Sequence, residues 1–219
     1  MSWEQKRTSA AEATFGLSFA GVVVRPTLHR AEIRDKRLSF VQHAAHHEHE
    51  ERAFEAEYKK IGVWKGRLGT AQERARVLQF WKDHGQQGAR WLCRRLRRET
   101  HVDALDGVAN ILANIGEASL APIVEELERE PSPEQSEAML FALKWIRPSE
   151  THPSLDRLVR VLERLLRNGD PDLVERSCAA TRVLDRRRAI ELLEPVQLGT
   201  RDESLSEIIR EELAGRAAS

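Results

Sequence analysis

An apolar quartet with the spacing zero, three, four and seven recurs four times along the 219-residue chain. This spacing places all four side chains on one face of an α-helix. Successive copies are separated by 31, 35 and 34 residues, a period typical of helix-turn-helix repeats. The copies are Ala89/Leu92/Cys93/Leu96, Leu120/Ile123/Val124/Leu127, Leu155/Leu158/Val159/Leu162 and Ala189/Leu192/Leu193/Val196.

A second series of quartets lies between the first, so the repeating unit is a pair of helices. Its clear copies are Leu105/Val108/Ala109/Leu112 and Met139/Ala142/Leu143/Ile146, and its weaker copies are Arg74/Val77/Leu78/Trp81 and Val174/Ser177/Cys178/Thr181. The two series together predict an all-α chain of about four helix pairs between Thr70 and Leu198. A last helix, charged on its other faces, is expected to cap the array.

Helix boundaries can be predicted from capping residues. Gly116 and Gly169 stand where helices are expected to end in a left-handed residue, and Pro195 is expected to end or kink the last paired helix. Residues that cap a helix start, two of them followed by proline, are Thr70 with Glu73, Ser132 with Pro133 and Gln135, and Asp170 with Pro171.

The stretch ANIGEASLAPIVEEL, from Ala113 to Leu127, resembles the HEAT-repeat family, especially the short bacterial HEAT-like repeats of the phycobilin-lyase type. The resemblance implies an α-solenoid, a right-handed superhelix that binds partners through its stacked helices. It is limited to the repeat unit, so no lyase activity is carried over. The positions that match are Asn114, Gly116, Pro122, Ile123 and Leu127.

The first part of the chain, residues 1–69, is predicted to be an N-terminal extension of the repeat domain 70–219. Residues 1–26 contain an apolar run from Phe15 to Val24 that favours a short strand or extended segment. Residues 27–60 have helical spacing and fit one long helix or two. A connection with three glycines, residues 62–69, marks the expected domain boundary.

The balance of charge excludes attraction of the whole chain to nucleic acid or to an anionic membrane, because 35 basic residues match 35 acidic ones. Cys93 and Cys178 fall at apolar helical positions, which favours buried thiols over a disulfide. We find no signal peptide and no apolar stretch of membrane-spanning length. A cytoplasmic protein that does not contact membrane is therefore expected.

Two polar clusters are candidates for chemistry. His43, His46, His47 and His49 could offer two metal ligands from one helical face, but no further ligand with metal spacing accompanies them. The interpretation that we favour is a solvated helix face without metal.

An arginine stripe around Trp91 is the second cluster and could track phosphates. The repeat register places Arg94 beside Glu125 and Arg95 beside Glu126, and Glu125 beside Arg160, which favours a ladder of ion pairs between repeats. The arginines of the stripe are Arg90, Arg94, Arg95, Arg97 and Arg98.

The tryptophans divide into two groups. Trp81, Trp91 and Trp145 occupy or adjoin repeating apolar positions and are expected in the core. Trp64 lies in the glycine-rich connection, where it is either a staple for the N-terminal segment or an exposed interface anchor.

No catalytic motif is present, and neither a catalytic residue nor a cofactor is predicted. The sequence favours a non-catalytic adaptor or scaffold subunit that binds a protein partner, with Trp64, Arg90, Arg94, Arg97 and Arg98 as candidate contacts. Two alternatives remain open. One is a nucleic-acid-binding module that uses the stripe from Arg90 to Arg98, and the other is a ligand-binding protein of the lyase or chaperone type.

Overall fold

A computed structural model describes residues 47–61, 70–168, 170–200 and 202–217. The chain divides into two compact units, Met1–Glu48 and His49–Ser219. The second unit contains all of the described residues except 47 and 48. The segment Phe15 to Val24, Trp64 and the boundary predicted in residues 62–69 lie outside the described residues. Residues 49–61 belong to the same unit as the paired helices.

The described ranges are all-helical and contain no strand, so the all-α class is confirmed for them. The first helix, α1, covers residues 47–61. The others are α2 Ala71–Leu96, α3 Val102–Ile115, α4 Leu120–Leu127, α5 Pro133–Leu143, α6 Leu155–Asn168, α7 Pro171–Ala180, α8 Arg186–Gly199 and α9 Glu203–Ala217.

The helices contact one another in two rows. In the first row α2 contacts α3, α3 contacts α5, α5 contacts α7, and α7 contacts α9. In the second row α2 contacts α4, α4 contacts α6, and α6 contacts α8. One continuous apolar core joins both rows, from Phe54 in α1 to Ile209 in α9, so each helix pair shares its core with the next.

The corner within a helix pair has the same backbone conformation in the first two pairs. Gly85 interrupts α2 with φ 44° and ψ −123°, and Gly116 ends α3 with φ 76° and ψ −139°. These angles suit glycine because a Cβ atom disfavours positive φ. Gly116 follows Gly85 by 31 residues, which is also the offset between the first two quartets. The corner therefore repeats together with the core positions.

The predicted helix starts are confirmed. The Thr70 hydroxyl accepts from the amide of Glu73, whose carboxylate accepts from the amide of Thr70 at 2.7 Å. Ser132 and Gln135 form the same reciprocal capping box. Asp170 caps α7 by accepting from Leu173, with Pro171 at the first helical position. Each cap satisfies amides that have no partner inside the helix.

Two features of the helices differ from what the sequence led us to expect. Pro195 does not end α8, which continues to Gly199, because a proline removes only one backbone N–H and Val196 beyond it still packs on the core. The segment Val102–Leu127 has the length and mean hydropathy of a membrane span, although no such stretch was expected. It contains α3, the Gly116 corner and α4, and 56% of its most apolar window is buried within the protein. We attribute its hydropathy to this burial in the shared core.

Candidate functional site

A polar groove of about 550 Å³ lies between α1 and the C-terminal end of α2. Glutamates of α1 form one wall and arginines of α2 and of the turn after it form the other. We call this the arginine groove. Its lining residues are Glu51, Glu55, Trp91, Arg94, Arg95, Arg97 and Arg98.

Trp91 and Glu51 join the two walls of the groove. The Trp91 ring is buried, and its indole N–H donates to a Glu51 carboxylate oxygen at 2.6 Å. The other Glu51 oxygen lies 3.5 Å from an Arg94 guanidinium nitrogen. Trp91 also contacts the rings of Phe54 and Tyr58, with centroids 5.8 Å and 5.6 Å away. These contacts fix α1 against α2 and thereby set the width of the groove.

Arg97 is neutralised by a carboxylate of the next repeat. Both oxygens of Glu126 in α4 accept from its guanidinium, and the second contact, from Nη2, measures 2.6 Å. The Glu126 side chain is only 5% exposed. The hydrogen bonds to Glu126 raise the pKa of Arg97 above its ordinary value, so Arg97 stays cationic at any physiological pH. This bidentate pair links the end of α2 to α4.

Arg95 and Arg98 have no carboxylate hydrogen-bonded to them within the described ranges. The Arg95 guanidinium lies over the Tyr58 ring, 4.8 Å from its centroid, and its Nε atom is buried without a hydrogen-bond acceptor. The exposed Arg98 side chain forms no hydrogen bond or ion pair with any described residue. Among the described residues, the groove therefore keeps two cations that have no hydrogen-bonded carboxylate as a partner, although Arg95 also interacts electrostatically with Glu99.

Tyr58 lies next to two residues that line the groove, Trp91 and Arg95, and it is hydrogen-bonded to Glu99. The Tyr58 hydroxyl donates to Glu99 at 2.5 Å, and the same carboxylate accepts from the amides of Thr100 and His101. Burial favours the protonated form of Glu99, but these hydrogen bonds outweigh it and hold the pKa of Glu99 below its ordinary value. Burial, followed by the bond to Glu99, raises the pKa of Tyr58.

Replacing Tyr58 with phenylalanine is expected to lower the free energy of unfolding at pH 7 by about 1–2 kcal/mol, because one hydrogen bond to a charged group is lost. Since the pKa of Glu99 is depressed on folding, its contribution is present above the unfolded value, 4.5, and is lost as pH falls through the folded value. As the pH falls from 7 to 3, the free energy of unfolding of the variant should therefore decrease less than that of the wild type. Urea unfolding at both values measures this, and equal acid sensitivity of both proteins would contradict it.

The expected ladder of ion pairs exists, but its predicted partners were wrong. Glu125 pairs with Arg90 at 3.3 Å rather than with Arg94, and Glu126 pairs with Arg97 rather than with Arg95. Glu125 has no hydrogen bond or ion pair with Arg160 in the structure. The repeat offset aligns backbone positions, whereas a guanidinium at the end of a long side chain reaches carboxylates up to about one helical turn from the aligned position.

The tryptophans were predicted correctly in part. Trp81 and Trp91 are buried, as expected. Trp145 is 56% exposed and lies outside the core, because its neighbour Ile146 occupies the buried position. The Lys144 ammonium lies 5.6 Å from the Trp145 ring centroid.

The remaining candidate residues are only partly described. His43 and His46 lie outside the described residues, whereas His47 and His49 are exposed on α1. The described part of the chain holds no group of three side chains placed to ligate a metal. Cys93 and Cys178 are buried free thiols, as predicted, and burial raises the pKa of Cys178 to about 12.

The α1 wall of the groove was not predicted. Glu51, Glu55 and Tyr58 recur at spacings of four and three, so they share one helical face. That spacing was visible in the sequence, but nothing in it indicated that this face meets the arginine stripe. The pairing depends on how α1 packs against α2, which is a tertiary contact.

Comparison of the chain with protein-family models, with curated proteins and with solved structures found no match.

Proposed function

We propose that this protein is a non-catalytic adaptor that binds a protein partner, built as an α-solenoid of HEAT-like helix pairs. The two rows of helix contacts support the solenoid, because each helix of a pair contacts its counterpart in the next pair. The corner glycines Gly85 and Gly116 support it too, since they repeat with the quartets. A stack of this kind presents side chains from several helices on one surface.

We choose the arginine groove as the site because no described carboxylate is hydrogen-bonded to Arg95 or Arg98 there. Arginine is enriched where proteins bind one another, and an exposed guanidinium beside aromatic rings can serve as a binding anchor. Arg90, Arg94 and Arg97 are already paired with Glu125, Glu51 and Glu126. Of the four predicted arginine contacts, Arg98 is therefore the one most available to a partner.

Affinity capture from the native host tests this proposal with two matched variants. Arg98→Glu reverses a charge in the groove, whereas Arg129→Glu reverses one 31 residues later, at the equivalent turn of the next repeat. Both side chains are exposed and neither forms an ion pair with another described residue, so both variants should fold. Arg98→Glu is expected to reduce the partner's yield about tenfold, while Arg129→Glu retains it. Capture of the same proteins at equal yield by the wild type, Arg98→Glu and Arg129→Glu would contradict the proposed site.

Nucleic-acid binding is the weaker candidate. Trp91 is buried with its indole N–H used by Glu51, so its ring is not free to stack on a base. Three of the five arginines in the stripe are paired with glutamates, which leaves few cations for phosphates.

A further inference from the structure

Arginines of the second row repeatedly meet carboxylates of the neighbouring helix in that row. The contacts are 2.5–3.0 Å for Arg157, 3.0 Å for Arg164 and 2.9 Å for Arg188. Each carboxylate lies in an adjacent repeat, so these pairs connect successive helices. The pairs are Arg97 with Glu126, Arg157 with Glu128, Arg164 with Glu130, and Arg188 with Asp156.

Among the described residues, the arginine groove is one place where this series of pairs is incomplete. On the side of α1, Glu51 neutralises Arg94 only, through one contact at 3.5 Å. Arg95 is held in place by the Tyr58 ring, which occupies the face of its guanidinium and accepts no ordinary hydrogen bond. Arg98 lies in the turn after α2, and its side chain has no partner among the residues that the structure describes. Two cations thus stand where a further acidic segment would continue the pattern of the other repeats.

From this arrangement we infer that the arginine groove binds an acidic segment of a partner protein, with its Asp or Glu carboxylates on Arg95 and Arg98. This inference rests on the proposed adaptor function and names the chemistry of the partner. Carboxylates suit the site because a planar guanidinium donates two parallel hydrogen bonds to them. The volume of about 550 Å³ has room for more than one side chain.

The other wall of the groove favours a peptide over a nucleic acid. Glu51 and Glu55 line α1 opposite the arginines. A phosphate backbone carries a charge at every nucleotide and would place some of them against these glutamates. A peptide can place acidic residues on the arginines and neutral or basic residues against α1.

Fluorescence anisotropy with the full chain tests the inference. The probes are a fluorescein-labelled hexaglutamate peptide, the same peptide made of glutamine, and a labelled single-stranded oligonucleotide of equal length. We expect hexaglutamate to bind at low salt and hexaglutamine not to bind. Arg98→Glu should weaken hexaglutamate binding about tenfold or more, and Arg129→Glu should leave it within about twofold. Circular dichroism and the Tm confirm that both variants are folded.

Two outcomes would overturn the inference. One is equal affinity of wild type and Arg98→Glu for hexaglutamate, and the other is tighter binding of the oligonucleotide than of the peptide. Loss of peptide binding in Arg98→Glu with full retention of the native partner would leave the acidic site standing and refute its use by the adaptor. Loss of the native partner in Arg98→Glu with unchanged peptide binding would refute the inference that the partner binds through an acidic segment. It would leave the proposed adaptor site standing.

Discussion

Replacing Trp81 with alanine is expected to lower the free energy of unfolding by about 3–5 kcal/mol, the range for removing a fully buried tryptophan. Trp81 has no exposed surface, and its ring contacts Phe54 at 5.5 Å, Phe80 at 5.4 Å and Trp91 at 5.8 Å between centroids. The variant would leave a cavity where α1 meets α2. Urea unfolding followed by circular dichroism measures the loss.

Trp145→Ala is the matched control for that experiment, because it removes the same side chain from a position that is 56% exposed. Its effect should stay within about 0.5 kcal/mol. Similar losses in the two variants would mean that the aromatic contacts of Trp81 do not organise the first helix pair. Trp81→Phe should cost less than Trp81→Ala because phenylalanine leaves a smaller cavity. Neither variant loses a hydrogen bond to another described residue, since the indole N–H has no such partner.

The second large effect is expected at the link between the first two repeats. Arg97→Ala leaves the buried Glu126 carboxylate without its bidentate partner and should cost about 1–3 kcal/mol, less than a fully buried pair because Arg97 itself is 39% exposed. The measurement is again urea unfolding. Adding Glu126→Leu to this variant should restore part of the loss, because it removes the unpaired charge.

Arg167→Ala provides the reference for an exposed pair. Arg167 contacts Glu163 at 2.6 Å within one helix, but its side chain is 70% exposed. Such pairs contribute about 0–1 kcal/mol because water screens them. If Arg97→Ala cost no more than Arg167→Ala, the pair of Arg97 with Glu126 would not stabilise the contact between repeats.

Local signals were enough to predict the helix pairs. The capping boxes at Thr70 and Ser132 depend on side chains three residues apart, and the quartets depend on helical periodicity. Both are properties of neighbouring residues, so they can be read without knowing how the chain folds back on itself. The Gly116 corner was predicted for the same reason, whereas Gly85 was not recognised as its equivalent one repeat earlier.

Contacts between distant helices could not be predicted with the same detail. The sequence indicated that arginines and glutamates of successive repeats would face each other, yet which pairs form depends on the reach of each side chain. The wall formed by Glu51 and Glu55 depends on how α1 packs against α2. The helical spacing of α1 does not indicate that packing. Trp145 illustrates a further limit, because a residue beside a repeating apolar position can point either into the core or to solvent.

Amide hydrogen exchange on the captured complex tests the central claim most directly, since it locates the partner on the chain. The account predicts slower exchange in residues 47–61 and 91–101 when the partner is bound, with α6 to α9 unchanged. Protection confined to α6 to α9, or no change in residues 91–101, would contradict the claim that the arginine groove is the partner-binding site.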